Sequence, residues 1–214
     1  MSIQITTEQV KELRESTGIS VMQCKRALEE AAGDMKKALA ILKKTSSDIA
    51  LKKVNREVKD GRVSVKMEGN KAVLVSLHCE TDFVAKNEDF AKLLETLSSK
   101  ALKEGPEKMK AEAKELIDAV IQKTGENIQL GAVFEVSGRV LGVYVHNNKI
   151  AAIVSLENGS LGLARDIAMH VAAMQPENIP ELLGQAFIKN SEETIGQLLE
   201  KAGTKIKEMK VYSI

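Results

Sequence analysis

The sequence predicts an α+β fold, and three observations carry that prediction. The first 45 residues hold three short stripes of small apolar residues at helical spacing. Further along, an apolar, β-branched segment occurs twice: Asn70-Lys71-Ala72-Val73-Leu74-Val75-Ser76-Leu77 returns, with one inserted residue, as Asn148-Lys149-Ile150-Ala151-Ala152-Ile153-Val154-Ser155-Leu156. Each copy follows a strand-like run and a turn, and each precedes a helical stripe. The chain therefore divides into a three-helix module (1–45), a linker helix (46–60) and an α+β core (61–214) of two related antiparallel β-hairpin/helix halves, 61–125 and 126–214.

Taken in order, Thr6 and Gln9 form a capping box ahead of Val10 and Leu13, and Gly18 is placed to end that helix. Ser20 and Gln23 repeat the capping pattern before Cys24, Ala27, Leu28 and Ala31. Asp34 caps a third helix carrying Met35, Ala38, Leu39 and Leu42. Thr45-Ser46-Ser47-Asp48 reads as a polar hinge. The basic stretch with Lys52, Lys53, Arg56 and Lys59 reads as a solvated linker helix rather than a nucleic-acid arm, since no aromatic stacking partner lies nearby. In the first half, the strand at 63–67 turns through Glu68-Gly69-Asn70, and the second strand is followed by the stripe Phe90, Leu93, Leu94, Leu97. A helix with Met109, Ala113, Leu116, Ile117, Val120 and Ile121 joins the halves and ends at Gly125. In the second half, 140–146 turns through Asn147-Asn148, and Leu163, Ile167, Val171 and Met174 form the helical stripe. Pro176 and Pro180 interrupt the chain. A helix capped by Ser191, with Ile195, Leu198 and Leu199, runs to Gly203, and a last strand covers 207–212.

Composition excludes several functions. The 214 residues suit one or two cores, at roughly one domain per 150 residues. No apolar run reaches the ~18 residues of a membrane span, and residues 1–5 show no secretory pattern, so a cytoplasmic protein is expected. Thirty-one basic and thirty acidic residues leave a net charge of +1, which argues against direct nucleic-acid binding driven by phosphate neutralisation. Cys24, Cys79, His78, His146 and His170 have no zinc-ligand spacing, so neither a metal nor another cofactor is expected.

The candidate functional stretch is His78-Cys79-Glu80-Thr81-Asp82-Phe83-Val84, where a buried strand ends and a carboxylate stands beside an aromatic ring. Asn87 caps the next helix, which leaves Asp82 and Phe83 on the connection between two ordered elements, where binding residues tend to sit. The competing reading folds Phe83 back as a lid on the core, with Asp82 merely closing a turn. A thiol enzyme would assemble Cys79, His78 and Asp82, but adjacent strand residues point to opposite faces and cannot meet directly. His170, one helical turn from Asp166 and Met174, suits helix packing better than an interface.

Several blocks, in order, resemble a known family. Thr17-Gly18-Ile19-Ser20-Val21-Met22-Gln23-Cys24-Lys25-Arg26-Ala27-Leu28 with Ala32-Gly33-Asp34, and Cys79-Glu80-Thr81-Asp82-Phe83-Val84-Ala85-Lys86-Asn87, are similar to the two signatures of bacterial elongation factor Ts, the guanine-nucleotide exchange factor of elongation factor Tu. Lys123-Thr124-Gly125-Glu126-Asn127-Ile128, Asp166-Ile167-Ala168-Met169-His170-Val171-Ala172-Ala173 and Gln185-Ala186-Phe187-Ile188-Lys189 resemble later blocks. The resemblance implies that the N-terminal module is ubiquitin-associated-like and the core of the dimerisation type, with a homodimer left open. It further implies that Thr81, Asp82, Phe83 and Val84 reach the nucleotide site of elongation factor Tu, in its GDP-bound and nucleotide-free states, where Phe83 displaces the elements that hold magnesium and phosphate. Val21 and Met22 would touch the GTPase domain, and His170 another domain of that partner. Between Ile179 and Leu182 there is almost no room for the projecting helical hairpin of many members, and the sequence stops at Ile214 without the terminal helix of longer forms. The alternative function is a ubiquitin-associated-type binding scaffold without exchange activity.

Overall fold

Side-chain caps begin each of the first three helices. In the computed structural model, which describes residues 5–214, Thr6 and Gln9 exchange hydrogen bonds at 3.1 and 3.2 Å ahead of α1 (Thr7–Thr17). Gly18, at φ 69°, ends that helix in the left-handed conformation. Ser20 accepts from the Gln23 N–H to start α2 (Val21–Glu30), and Asp34 accepts from the N–H groups of Lys36 and Lys37 to start α3 (Met35–Lys53). Leu13, Cys24, Leu28, Ala38 and Leu42 close the small core of this module. Residues 1–4, on which the reading of a missing secretory signal mostly rests, lie outside the described residues.

The expected hinge at Thr45 is absent, because α3 runs unbroken through it to Lys53. The hydroxyls of Thr45 and Ser46 lie 2.9 and 3.0 Å from the carbonyls of Ile41 and Leu42, so a run that reads as loop satisfies itself within the helix. Ser46 also meets Gln122, and Ser47 donates to Asp118 at 2.8 Å, so the polar face packs rather than bends. No separate linker helix follows; residues 54–59 lead by a turn into the first strand.

The core is built from two antiparallel three-stranded sheets. In the first, β1 (Asp60–Glu68) pairs with β2 (Lys71–Cys79), from Glu68 opposite Lys71 to Asp60 opposite Cys79. After β2 come the single turn α4 (Asp82–Ala85) and the long helices α5 (Glu88–Glu104) and α6 (Pro106–Thr124). Next, β3 (Ile128–Ser137) returns to pair with the other side of β2. This strand escapes sequence reading, since Gln129, Gly131 and Glu135 dilute its apolar pattern. It also moves the end of the first half from 125 to the end of β3. In the second sheet β4 (Val140–His146) pairs with β5 (Ile150–Leu156). The hairpin turns on Asn147 and Asn148, both at positive φ, and the residue inserted in the second repeat is accommodated there.

The helix α7 (Leu161–Met174) follows, then α8 (Ile179–Gly184), the short β6 (Ala186–Phe187) and β7 (Asn190–Thr194), α9 (Ile195–Lys201) and β8 (Ile206–Ser213), which completes the second sheet beside β5. Ser191 lies within β7; Thr194, in a capping box with Gln197, starts α9 instead. Pro180 sits in the first turn of α8, where its missing N–H costs nothing.

The sheets stack face to face. Val63, Ala72, Leu74, Val136, Leu141, Ala151 and Ile153 fill the space between them. On the outer face of the first sheet, Val73, Val75 and Leu77 pack on Phe90, Leu97, Met109 and Ala113 of α5 and α6. On the outer face of the second, Ala152, Val154 and Leu156 pack on Ala164, Ile167 and Val171 of α7. The layers run helix, sheet, sheet, helix. Because β2 and β5 are covered on both faces, their sequences are continuous apolar runs instead of alternating ones. Among the described residues no helix is long and apolar enough to cross a membrane.

The closeness of these layers gives a stability prediction. A Cβ at Gly142 of β4 would stand 2.0 Å from the Ala164 carbonyl of α7, whereas one at Gly162 has nothing nearer than 3.8 Å. Gly142→Ala is expected to destabilise the protein by about 2 kcal/mol or more. Gly162→Ala is expected to be neutral or stabilising by up to about 1 kcal/mol. Urea unfolding of both variants compares them directly.

Candidate functional site: a tethered turn carrying Phe83

Thr81 closes the end of β2 and opens α4. Its extended backbone and its hydroxyl, which accepts from the Val84 N–H at 3.4 Å, make it the N-cap of the turn. The same residue is held from outside by Glu126. The Thr81 N–H donates to Oε2 at 3.0 Å and the hydroxyl donates to Oε1 at 2.6 Å, so one carboxylate grips both donors. Val84 and Ala85 point inward and are buried with the first-sheet core. Asp82 and Phe83 are left to project. Phe83 is 82% exposed, which excludes its role as a core lid. Asp82 accepts from Lys86 at 2.7 Å, and this bond holds the Lys86 ammonium above its ordinary pKa. Then Asn87 caps α5 by accepting from the Asp89 N–H at 2.8 Å, so the turn is fixed at both ends.

Glu126 inherits its position from the end of α6. Gly125, at φ 77°, terminates that helix and its carbonyl accepts from Lys53 of α3. On the other side of Glu126, the buried Asn127 donates from its backbone to Glu80 Oε1 at 2.6 Å and from Nδ2 to the Arg56 carbonyl at 2.7 Å. Three segments remote in sequence therefore meet behind the projecting ring. The block Lys123 to Ile128 is visible in the sequence, but nothing in its pattern assigns Glu126 or Asn127 to the Phe83 turn; a glycine that ends a helix beside two polar residues is the only local signal.

Val21 and Met22 open α2 and are 52% and 60% exposed, a second apolar patch. It too is referred to the end of α6, because Lys123 packs its ammonium against Gly18 and reaches Asp89 at 3.1 Å.

A nucleophilic constellation does not assemble. Cys79 is buried, and burial, reinforced by the charges of Glu126 and Asp60, pushes its thiol up to about 12. His78 lies on the opposite face of β2, 2.9 Å from the Tyr212 hydroxyl, while the Asp82 carboxylate is engaged by Lys86. Among the described residues no three His, Cys, Asp or Glu side chains gather in a way that would hold a metal ion.

His170, expected at a partner surface, is fully buried within this chain. One ring nitrogen faces Gln185 Oε1 at 3.0 Å and the other accepts from the Ile188 N–H at 3.3 Å, so the neutral ring locks α7 to the 185–188 segment. In the free chain both ring nitrogens are engaged and the side chain has no exposed surface. It shapes the surface through Ile188, which is 42% exposed.

What the fold presents for recognition is protein surface: an aromatic ring on a rigid turn, with a second apolar patch set on the same helix end. These features define a protein-binding factor. A family model described as elongation factor TS matches residues 80–181. Over 98% of its length the chain is 33% identical to "Elongation factor Ts" of Thioalkalivibrio sulfidiphilus, and 34% identical to that of Hahella chejuensis, covering 92% of each relative. It is 38% identical to "Elongation factor Ts" of Xanthomonas oryzae pv. oryzae, over 93% of this chain and 73% of the relative. The chain belongs to the elongation factor Ts family.

Burial holds the His170 pKa below its usual value, which opposes the smaller upward pull of its bond to Gln185. A histidine with a depressed folded-state pKa contributes stability that is full above the unfolded pKa of about 6.5 and is lost as pH falls below it. Wild type is thus expected to lose more stability than His170→Gln between pH 7.5 and 5, as read from urea midpoints at each pH; parallel losses would contradict the assignment.

Proposed function

We propose that this chain is a guanine-nucleotide exchange factor that binds elongation factor Tu and promotes GDP release by inserting the Thr81–Val84 turn beside the partner's magnesium and phosphate site. The observation that carries the reading is Phe83, 82% exposed on a turn anchored at both ends, in a member of this family. Solvating an aromatic ring on a rigid support is unfavourable in the free protein, and that surface is recovered when a partner pocket receives it.

The work requires no bond to break. An exchange factor must bind the nucleotide-free partner more tightly than the GDP-bound one, and by linkage the factor by which it weakens GDP equals the factor by which GDP weakens it. A ring that fits only a distorted magnesium site stabilises that state selectively. Thr81 and Val84 supply the rigidity and Phe83 the wedge. Asp82 is its polar companion, and its bond to Lys86 is solvent-exposed and weak, so it exchanges readily for a partner contact. Val21 and Met22, on the ubiquitin-associated-like N-terminal module, provide a second contact with the GTPase domain. The place of action is the cytoplasm, where translation proceeds.

Loss of a buried aromatic anchor costs at least ~2 kcal/mol, or roughly thirtyfold. Phe83→Ala is accordingly expected to slow release of fluorescent GDP from elongation factor Tu by about that factor relative to wild type, with an unchanged circular dichroism spectrum. A variant as fast as wild type would remove Phe83 from the mechanism.

A further inference from the structure

We propose that Glu126 is a positioning residue for exchange, acting through Thr81 to aim Phe83; the inference rests on the wedge reading of Phe83. Three features of the geometry point to it. The first is that Glu126 holds the turn from a segment 45 residues away, whereas its other ties are local. α4 has only four residues, far too few to be stable alone; it is seated by the buried Val84 and Ala85 and by the Cys79 thiol, which donates to the Thr81 carbonyl at 3.2 Å, all on its inner side. The Glu126 carboxylate bonds two groups of Thr81 that point in different directions, the amide and the hydroxyl, and so fixes an orientation as well as a distance.

The second is that Glu126 is itself immobilised by its neighbours. Gly125 before it is gripped by Lys53, and the buried Asn127 after it is bonded to Glu80 and to the Arg56 carbonyl. The orientation of the turn is therefore set by the core and by the end of α3 together. The third is that the fold has its own means of surviving the loss of Glu126. Thr81 still caps the turn through its hydroxyl, Asn87 still caps α5, and β2 keeps both neighbours. Removing the carboxylate should loosen the aim of the ring more than it weakens the fold. A ring that samples several directions binds its pocket less well, because the ordering is then lost on binding instead of during folding.

The test measures fluorescent GDP release from elongation factor Tu with five full-length proteins: wild type, Phe83→Ala, Glu126→Ala, Glu126→Gln and the Phe83→Ala/Glu126→Ala double variant, each with its thermal midpoint. Glu126→Ala is expected to slow stimulated release by about tenfold, the loss of one charge-assisted bond network. Glu126→Gln, whose amide can accept from the Thr81 N–H and donate to its hydroxyl, is expected to recover most of that. The double variant should be no slower than Phe83→Ala alone, since aiming a missing ring has no value. A merely structural role would instead add its loss in full to that of Phe83→Ala, and that additivity would overturn the proposal. So would a wild-type rate for Glu126→Ala. If Phe83→Ala is slow while Glu126→Ala is not, only the positioning role fails; if Phe83→Ala equals wild type, the wedge reading fails and takes this one with it. Should Glu126→Ala prove unfolded, Glu126→Asp, which keeps the charge but withdraws it from the two Thr81 donors, replaces it in both the single and the double variant with the same two expectations.

Discussion

The polar seam between α3 and α6 is the constraint on which the rest of the arrangement depends. Ser46 meets Gln122, Ser47 meets Asp118, Lys53 reaches the Gly125 carbonyl and Asn127 reaches the Arg56 carbonyl, contacts that join residues more than 70 positions apart. Apolar helix faces can slide past one another by a turn with modest loss, but buried hydrogen-bonding groups are satisfied in one register only. The seam thus sets where the N-terminal module stands relative to the sheets. It ends at the same residues, 125–127, that hold the Phe83 turn, so the two exposed apolar patches share one reference point.

The sheets give that reference point its rigidity. β2 is the middle strand of its sheet, hydrogen-bonded on both sides and covered on both faces, and α4 begins shortly past its end. Placing an exposed turn directly after the most constrained strand leaves it little freedom to lose. The second half supports this from behind. The Tyr212 hydroxyl of β8 meets His78 of β2, and Lys149, in the second hairpin, reaches Asp60 and the Gly61 carbonyl of β1.

Most of the fold is readable in the sequence because its signals are local. Caps at Thr6, Ser20, Asp34 and Asn87 and terminators at Gly18 and Gly125 stand where the helices begin and end, and the two apolar hairpins are recognisable from one another. The misreadings arise where tertiary contacts overrule local chemistry. The run from Thr45 to Asp48 is hinge-like in composition, yet the hydroxyls of its first three residues bond back along the helix or across to α6. β3 is diluted by polar residues because it is an edge strand, and Ser191 yields its capping role to Thr194, which has Gln197 three residues on. At the candidate site, the place of Phe83 between a strand end and a helix cap is legible, but its exposure is not, since the residues alone favour a lid on the core. Glu126 does not follow from anything nearby, since its role depends on a contact 45 residues away. His170 follows the pattern of its helix, which favours packing: its surroundings on α7 and the 185–188 segment enclose it.

As a whole, the molecule is a stiff frame that holds one aromatic ring out to solvent. On the proposed reading its action is thermodynamic, a preference for one state of the partner over another, and that preference is open to direct measurement. Titration calorimetry of this protein against nucleotide-free and GDP-bound elongation factor Tu gives two dissociation constants. A much tighter complex with the nucleotide-free partner is expected, the ratio of the two constants matching the factor by which this protein weakens GDP binding. Equal affinity for the two forms would contradict the exchange mechanism, because a ligand that does not discriminate between two states cannot shift their balance.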